Sequence, residues 1–399
     1  VRLNFTGAEI AALYQNQSGC PVHGSTAFVN VELPQPPATG IDEKTMLEIY
    51  VDVQGHVKTH GRASLHINPD LYRYTRDNLT AAIDKVYPGL KYDHPDFDMA
   101  MKLRNNASRF AGYKTAWQTA ELMDVDDTDA INSINKKYNT NYMRSEYEHT
   151  VRSTRAAKNW QNFAADADLY PYLEYMPSTA GTPRSEHMKL YGVIKALDDP
   201  FWDTWLPPAD WGCKCSVQQR RSDKGTTQPP EEIKQPPQAM RNNPGKDGQI
   251  FTDKHPMISK VSKATSVLIE NETSFLKFKH ETRSVLDIAT DFIGNVFKLE
   301  TKTSTLDVRI TKNSVEKNLR WDKWFDTRCQ SLINLPELIN KCNYIGSKKV
   351  IKSDYTNAQW VKKRKIKNYH FFEIDGGYQF DIEERWDGQI TLYNIKVIK

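Results

Sequence analysis

Three side chains of the kinds that bind soft metals stand in the middle of the chain: His187, Cys213 and Cys215. Imidazole nitrogen and thiolate sulfur suit zinc, and Asp198 or Asp199 offers a carboxylate as a fourth ligand. Against a metal, Cys-x-Cys is tighter than the roughly two-to-four-residue gap common in structural zinc sites. Alternation along an extended backbone is also expected to turn one thiol away. Two buried structural thiols, a disulfide formed in oxidising surroundings and a zinc site all stay open. His187 beside Glu186 suits acid-base work, since imidazole titrates near neutrality, but no nucleophile motif accompanies it. The expected role of His187 is a hydrogen bond tying its loop to the body behind. A second group, His56, His60 and His66, lies in a polar stretch without acidic partners and reads as solvated.

These residues belong to an unusual run, Thr182 to Val217, with Trp202, Trp205 and Trp211, a Pro207-Pro208 pair and an acidic pair before Pro200. The prolines keep it from continuing as a regular helix. Its large aromatics must still bury area, at roughly 25 cal/mol per Å² of apolar surface, so an ordered, irregular clasp is expected on a helical body. That body is legible upstream. Asn68-Pro69-Asp70 starts a helix that Pro88-Gly89 stops, Asp96 to Met123 carries an apolar stripe of helical period, and Asp126 to Tyr142 and Ser145 to Ala167 follow. On the last of these, Glu146, Glu148, Arg152 and Arg155 at spacings of three or four predict a solvated, salt-bridged face. Thr45 to Val53 is helix or strand, and Ala8 to Tyr14 and Ala27 to Leu33 are short candidates.

At 399 residues the chain has room for two or three cores. With 26% charged and 39% hydrophobic residues, and no apolar run near the ~20 residues of a membrane helix, it reads as a soluble protein with no membrane contact. The first residues lack the marks of a secretory signal, so synthesis in the cytoplasm is expected. Five Cys at low density make no disulfide framework. Charge is uneven: residues 301–399 hold 19 Lys and Arg against 12 Asp and Glu, and the first 300 hold 35 against 38. The C-terminal end is therefore the half suited to a polyanion.

Residues 220–256, rich in Pro, Gly, Asn and charge, predict a linker, and residues 257–299 recover periodicity as a bridging segment. The last hundred residues predict a strand at Leu306 to Ile310, helices at Lys312 to Trp324 and Cys329 to Cys342, a basic run at 362–367, and strands at His370 to Ile374, Gly377 to Glu383 and Gln389 to Ile398. Gly376-Gly377 and Asp387-Gly388 are hairpin signals, so a small α+β layout with an antiparallel sheet is expected.

Taken in order, Arg184 and His187, then Asp198, Asp199 and Trp202, then Pro208, Trp211, Cys213 and Cys215 resemble the clasp motif of the phage Mu F-like head morphogenesis family, the minor capsid proteins of tailed phages. Arg-Asn-Asn-Pro-Gly-Lys and Ile-Phe-Thr-Asp-Lys-His-Pro (241–256) resemble the family's usual exit, and Lys214 departs from a more usual Arg. The resemblance covers roughly residues 70 to 256. It implies an α-rich head domain at 70–219, after an N-terminal segment 1–69 of uncertain fold, with phage portal and capsid proteins as partners and the virion as destination.

Ile-Thr-Lys-x-Ser-Val-x-Lys-Asn (310–318), Leu-Pro-Glu-Leu-Ile (335–339) and Tyr-Gln-Phe-Asp-Ile-x-Glu (378–384) with Leu-Tyr-Asn-Ile (392–395) resemble the phage barnase, EndoU, colicin and RelE-like nucleases. That resemblance spans 300–399 and implies metal-independent cleavage of RNA, with an immunity protein as a further partner. Such cleavage needs a base, an acid and cations for the developing negative charge. Lys312, Lys317, His370, Arg385 and Tyr393 are the candidates, each with a solvated or core-packing alternative. Lys317 stands where related domains often carry His, a poor base unless burial lowers its pKa. No organic cofactor is implied. The readings left are a head protein carrying a nuclease-like domain, a purely structural head protein with a nucleic-acid-binding tail, and a toxin delivered from cell to cell.

Overall fold

The computed structural model of the protein describes residues 40–90, 94–229, 232–320, 322, 324–350, 365–374 and 377–398. The candidates at Ala8 to Tyr14 and Ala27 to Leu33, together with Cys20, Lys362, Lys363, Arg364 and Gly376, lie outside those residues. The chain divides into two compact units, residues 1–90 with 98–273 and residues 91–97 with 274–399.

The first unit begins with capped helices. Asp42 accepts from the Thr45 N–H to start α1 (Glu43–His60), so the stretch undecided between helix and strand is helix. Asn68 accepts from the Asp70 and Leu71 N–H groups to start α2 (Pro69–Asp84), with Pro69 in the first turn, where a missing N–H leaves no helical bond unmade. α3 (Phe97–Met123) follows, then α4 (Thr128–Asn135), which passes through a π-helical segment at Lys136–Tyr142 into α5 (Met143–Ala165). Met46, Ile49, Val53, Leu71, Leu122, Ile131 and Tyr138 close one core between these helices.

After α5 comes a small antiparallel sheet in the order β2-β1-β3, from β1 (Tyr172–Met176), β2 (Ile194–Ala196) and β3 (Ser216–Arg220). Its connections carry two single-turn helices, α6 (Ser185–Met188) and α7 (Trp202–Trp205). Trp202 and Trp205 of α7 are buried with Trp160 and Phe163 of α5, Leu173 and Tyr175 of β1 and Val217 of β3. The clasp is thus docked on the helical body by its aromatics, as expected.

The stretch expected as a linker is in good part packed core. Met240, Ile250 and Phe251 are buried, Phe251 stacks on Phe110 with centroids 3.8 Å apart, and the Asn106 side-chain oxygen accepts from the Ile250 and Phe251 N–H groups at 2.8 Å each. A polar average conceals that a few large apolar anchors and one two-pronged acceptor can fix a segment. Short helices α8 (Pro244–Asp247) and α9 (Pro256–Ser259) lie here, and α10 (Lys263–Ala289) carries the sequence into the second unit.

The second unit holds a six-stranded sheet in the order β4-β5-β9-β8-β7-β6. Its strands are β4 (Val296–Glu300), β5 (Thr305–Arg309), β6 (Asn343–Lys349), β7 (Ile366–Ile374), β8 (Tyr378–Arg385) and β9 (Ile390–Val397). β5 and β9 run parallel, with Arg309 opposite Thr391, so the sheet is mixed and not antiparallel throughout as expected. The expected helices are shorter too. α11 (Lys312–Asn318) ends at Asn318, whose buried side chain accepts from the Ile395 N–H of β9 at 2.8 Å. α12 (Phe325–Ile333) and α13 (Leu335–Ile339) replace one long helix, because Pro336 has no N–H to continue it. Among the described residues no helix is long and apolar enough to cross a membrane.

Candidate functional site

His187 on α6 and Cys213 and Cys215 in the turn entering β3 meet inside the clasp. The two sulfurs stand 3.5 and 3.6 Å from the same atom, His187 Nδ1, and the three donor atoms lie within 4.8 Å of one another. His187 and Cys213 are buried and Cys215 is partly so; both thiols are free. The expectation that one thiol turns away fails because the two residues are two apart, the spacing that returns a side chain to the same side of an extended backbone. Cys213 is drawn well below the ordinary thiol value by its hydrogen bond with Cys215, against burial, while Cys215 is pushed up by that same bond and by burial. Asp198 and Asp199 do not join the group, and Asp199 instead accepts from the Phe201 N–H at 2.8 Å in the turn before α7.

The other clasp residues hold the loop in place. Arg184 Nε lies 3.1 Å from Asp210 Oδ2 and its Nη2 donates to the Trp211 carbonyl at 2.6 Å. Trp202 Nε1 donates to the Ala196 carbonyl at 2.9 Å, and Pro208 is buried. The Trp211 ring lies 5.0 Å from His149 of α5 and 6.0 Å from His255 at the start of α9. The expected solvated face on α5 is corrected at Glu146, which is buried against Lys114 of α3, Nζ to Oε2 2.5 Å. Burial also lowers Arg152 and Arg155. Sequence reasoning missed Lys114 because a lysine inside an apolar helical stripe resembles a surface residue. His56 stacks on His60 and His66 with centroids 4.5 and 4.2 Å apart, and His66 has an acidic neighbour after all, Asp52 one turn before His56, at 3.5 Å.

In the second unit, Lys317 Nζ sits 3.0 Å from the centroid of the Tyr393 ring, which contacts the Tyr369 ring at 5.5 Å. Tyr369 pairs across the sheet with Glu383, whose Oε1 lies 2.7 Å from Arg385 Nε. Three of the five expected residues, Lys317, Tyr393 and Arg385, are thus linked through two the sequence did not reveal, Tyr369 and Glu383. The strand register is the signal that finds them. His370 stands with Glu384, Nε2 to Oε2 3.0 Å, and Glu384 also accepts from Lys367 at 2.7 Å and Asn368 at 2.6 Å. Burial works to raise Glu384, but the hydrogen bonds from Lys367, Asn368 and His370 hold it down at about 2. Because an ionised carboxylate only accepts, His370 Nε2 is the donor to Glu384; Nδ1 is buried and, among the described residues, has no hydrogen-bond partner. Lys312 pairs instead with Glu316 at 3.6 Å on the exposed side of α11.

Residues 114–218, from Lys114 through β1, the clasp and into β3, match the family described as Phage Mu protein F like protein. Over 71 residues, 18% of this chain, the sequence is 37% identical to the F protein of Escherichia phage Mu, named for capsid assembly. Over 66 residues, 16% of this chain, it is 38% identical to the Mu-like prophage FluMu F protein of Haemophilus influenzae. The chain spans 16% and 15% of the lengths of these curated relatives. No solved structure matches the chain.

Proposed function

We propose that the chain is a minor head component of a tailed phage or prophage, whose first unit acts in head assembly beside portal and capsid proteins. The observation that carries this reading is the match of residues 114–218 to the Mu F family, over the span that forms the docked clasp. Expression takes place in the host cytoplasm and the mature location is the virion. The test is mass spectrometry of purified heads from a producing host. Absence of the protein from heads that contain portal and capsid subunits would overturn the assignment.

The second unit acts in this reading as an RNA-cleaving domain carried by the head component. Lys317, Tyr393 and Arg385 share the sheet face of Tyr369 and Glu383, and this is the face offered to RNA; His370 and Glu384, next in sequence to Tyr369 and Glu383, point to the other face and brace β7 against β8. Lys317 and Arg385 supply cations for the charge that develops on phosphate, and Tyr393 offers a hydroxyl and a stacking face. The positive balance of residues 301–399 favours a nucleic acid over a neutral substrate. Induced expression of the whole chain, read by RNA integrity and growth, separates this from a structural tail: intact RNA under wild-type expression ends the nuclease reading and leaves head assembly untouched. An immunity protein is then the partner that spares the producing host.

A further inference from the structure

We propose that His187, Cys213 and Cys215 bind one thiophilic divalent cation, zinc by preference, which cross-links the clasp. A tetrahedral zinc ion about 2.3 Å from sulfur and about 2.0 Å from nitrogen requires sulfur and nitrogen to stand about 3.5 Å apart. The two separations are 3.5 and 3.6 Å. The side chains therefore already hold the nitrogen-to-sulfur spacing that ligands of one ion adopt, with all three donor atoms within 4.8 Å of one another.

Hydrogen bonding accounts for this arrangement less well. Nδ1 has a single in-line direction, whether it accepts a thiol proton or donates its own, so one hydrogen bond aligns it with one sulfur, not two. Both sulfurs nevertheless approach Nδ1 at nearly the same distance. A cation between the three donors serves all of them at once. Two thiolates and a divalent ion carry no net charge, which is what a buried site requires. Both sulfurs bind as thiolates, so affinity falls as pH falls. Three protein ligands leave one coordination position for solvent.

The location gives the ion a purpose that is independent of any catalysis. Between α6 and β3 the chain has little regular structure, three residues of β2 and four of α7. His187 is 26 and 28 residues from its two sulfur partners. Because such a site does not exist in the unfolded chain, the binding free energy of the metal adds to folding free energy and ties that span together without needing an oxidising compartment.

The test uses the whole purified chain. Metal analysis after chelator-free purification under reducing conditions is expected to give about one zinc per chain. Cobalt titration of the chelator-stripped chain is expected to give the thiolate-to-cobalt charge-transfer absorption of sulfur ligation. Cys213→Ser, Cys215→Ser and His187→Ala are each expected to weaken metal binding at least about tenfold, while Cys329→Ser, in the second unit, leaves it unchanged. If the variants fail to fold, the wild-type cobalt spectrum decides alone. The proposal is overturned by a wild-type chain with no zinc and no such absorption, by a Cys213 to Cys215 disulfide in the reduced preparation, or by cobalt absorption that survives loss of both thiols.

Discussion

Lys114 Nζ and Glu146 Oε2 meet 2.5 Å apart in the interior of the first unit, with both side chains buried. Burial pushes Lys114 down and Glu146 up, each toward its uncharged form, and the partner opposes the shift in both. Removing one member leaves an uncompensated buried charge, whereas removing both leaves apolar volume. Lys114→Met is expected to lose about 3–5 kcal/mol of unfolding free energy in urea, and Lys114→Met with Glu146→Leu to regain most of it. Equal losses in the single and double variants would show that the pair is not compensating inside the core.

Acid should weaken the same unit through His255. Burial lowers its pKa from 6.5 to about 4, with His149 and Lys114 adding to the effect. A depressed folded-state pKa means that the unfolded chain binds more protons between the two values, so stability is full above about 6.5 and is lost as pH falls toward 4. From pH 7 to pH 5 the expected loss from this residue is about 1–2 kcal/mol. His255→Asn keeps an acceptor for the Met257 N–H, which now bonds His255 Nδ1 at 3.2 Å, and is expected to flatten that part of the pH profile. An unchanged slope would mean that His255 is not the group that titrates.

What could be read from residues alone follows from where each signal resides. Asn68-Pro69 marks a helix start because capping is local, and α2 begins there. The fate of Trp202 and Trp205 was legible because tryptophans between prolines have nowhere to go but a core. Phe251 and Asn106 were not, since their contact joins segments 145 residues apart and only tertiary packing reveals it. Glu383 and Tyr369 were hidden for a related reason: their neighbourhood depends on strand register, and a bulge between Ile366 and Asn368 sets that register. The parallel pairing of β5 with β9 likewise leaves no local trace.

Gly245 marks a close approach of α8 to α5. A Cβ there would overlap the Cβ and Cγ of Trp160, and Gln161 Nε2 donates to the Gly245 carbonyl at 2.8 Å, holding the backbone in place. Gly245→Ala is expected to cost about 1–3 kcal/mol through overpacking, measured by chemical denaturation. Gly55, in the exposed part of α1 with nothing within 4 Å, is the counterpart. Gly55→Ala is expected to stabilise by about 0.5–1 kcal/mol, because alanine loses less backbone freedom in a helix. If both substitutions had the same sign, backbone entropy and not the approach to Trp160 would govern position 245.

The proposed nuclease makes the five candidate residues unequal. His370 is braced by a carboxylate held ionised, Lys317 lies on the Tyr393 ring, and Arg385 is oriented by Glu383. Among the described residues Lys312 has only an exposed partner four residues along its own helix, a contact worth no more than about 0.5 kcal/mol. Lys317→Ala and Arg385→Ala in the whole chain are therefore expected to slow RNA loss by about a hundredfold, and Lys312→Ala by less than about threefold. His370→Ala tests the division of the sheet into two faces: it removes a contact to Glu384 on the face away from Lys317, so it is expected to lower the melting temperature and to leave the rate of RNA loss within about threefold. RNA loss slowed as far as by Lys317→Ala, with the melting temperature unchanged, would make His370 the base and place the chemistry on its face of the sheet.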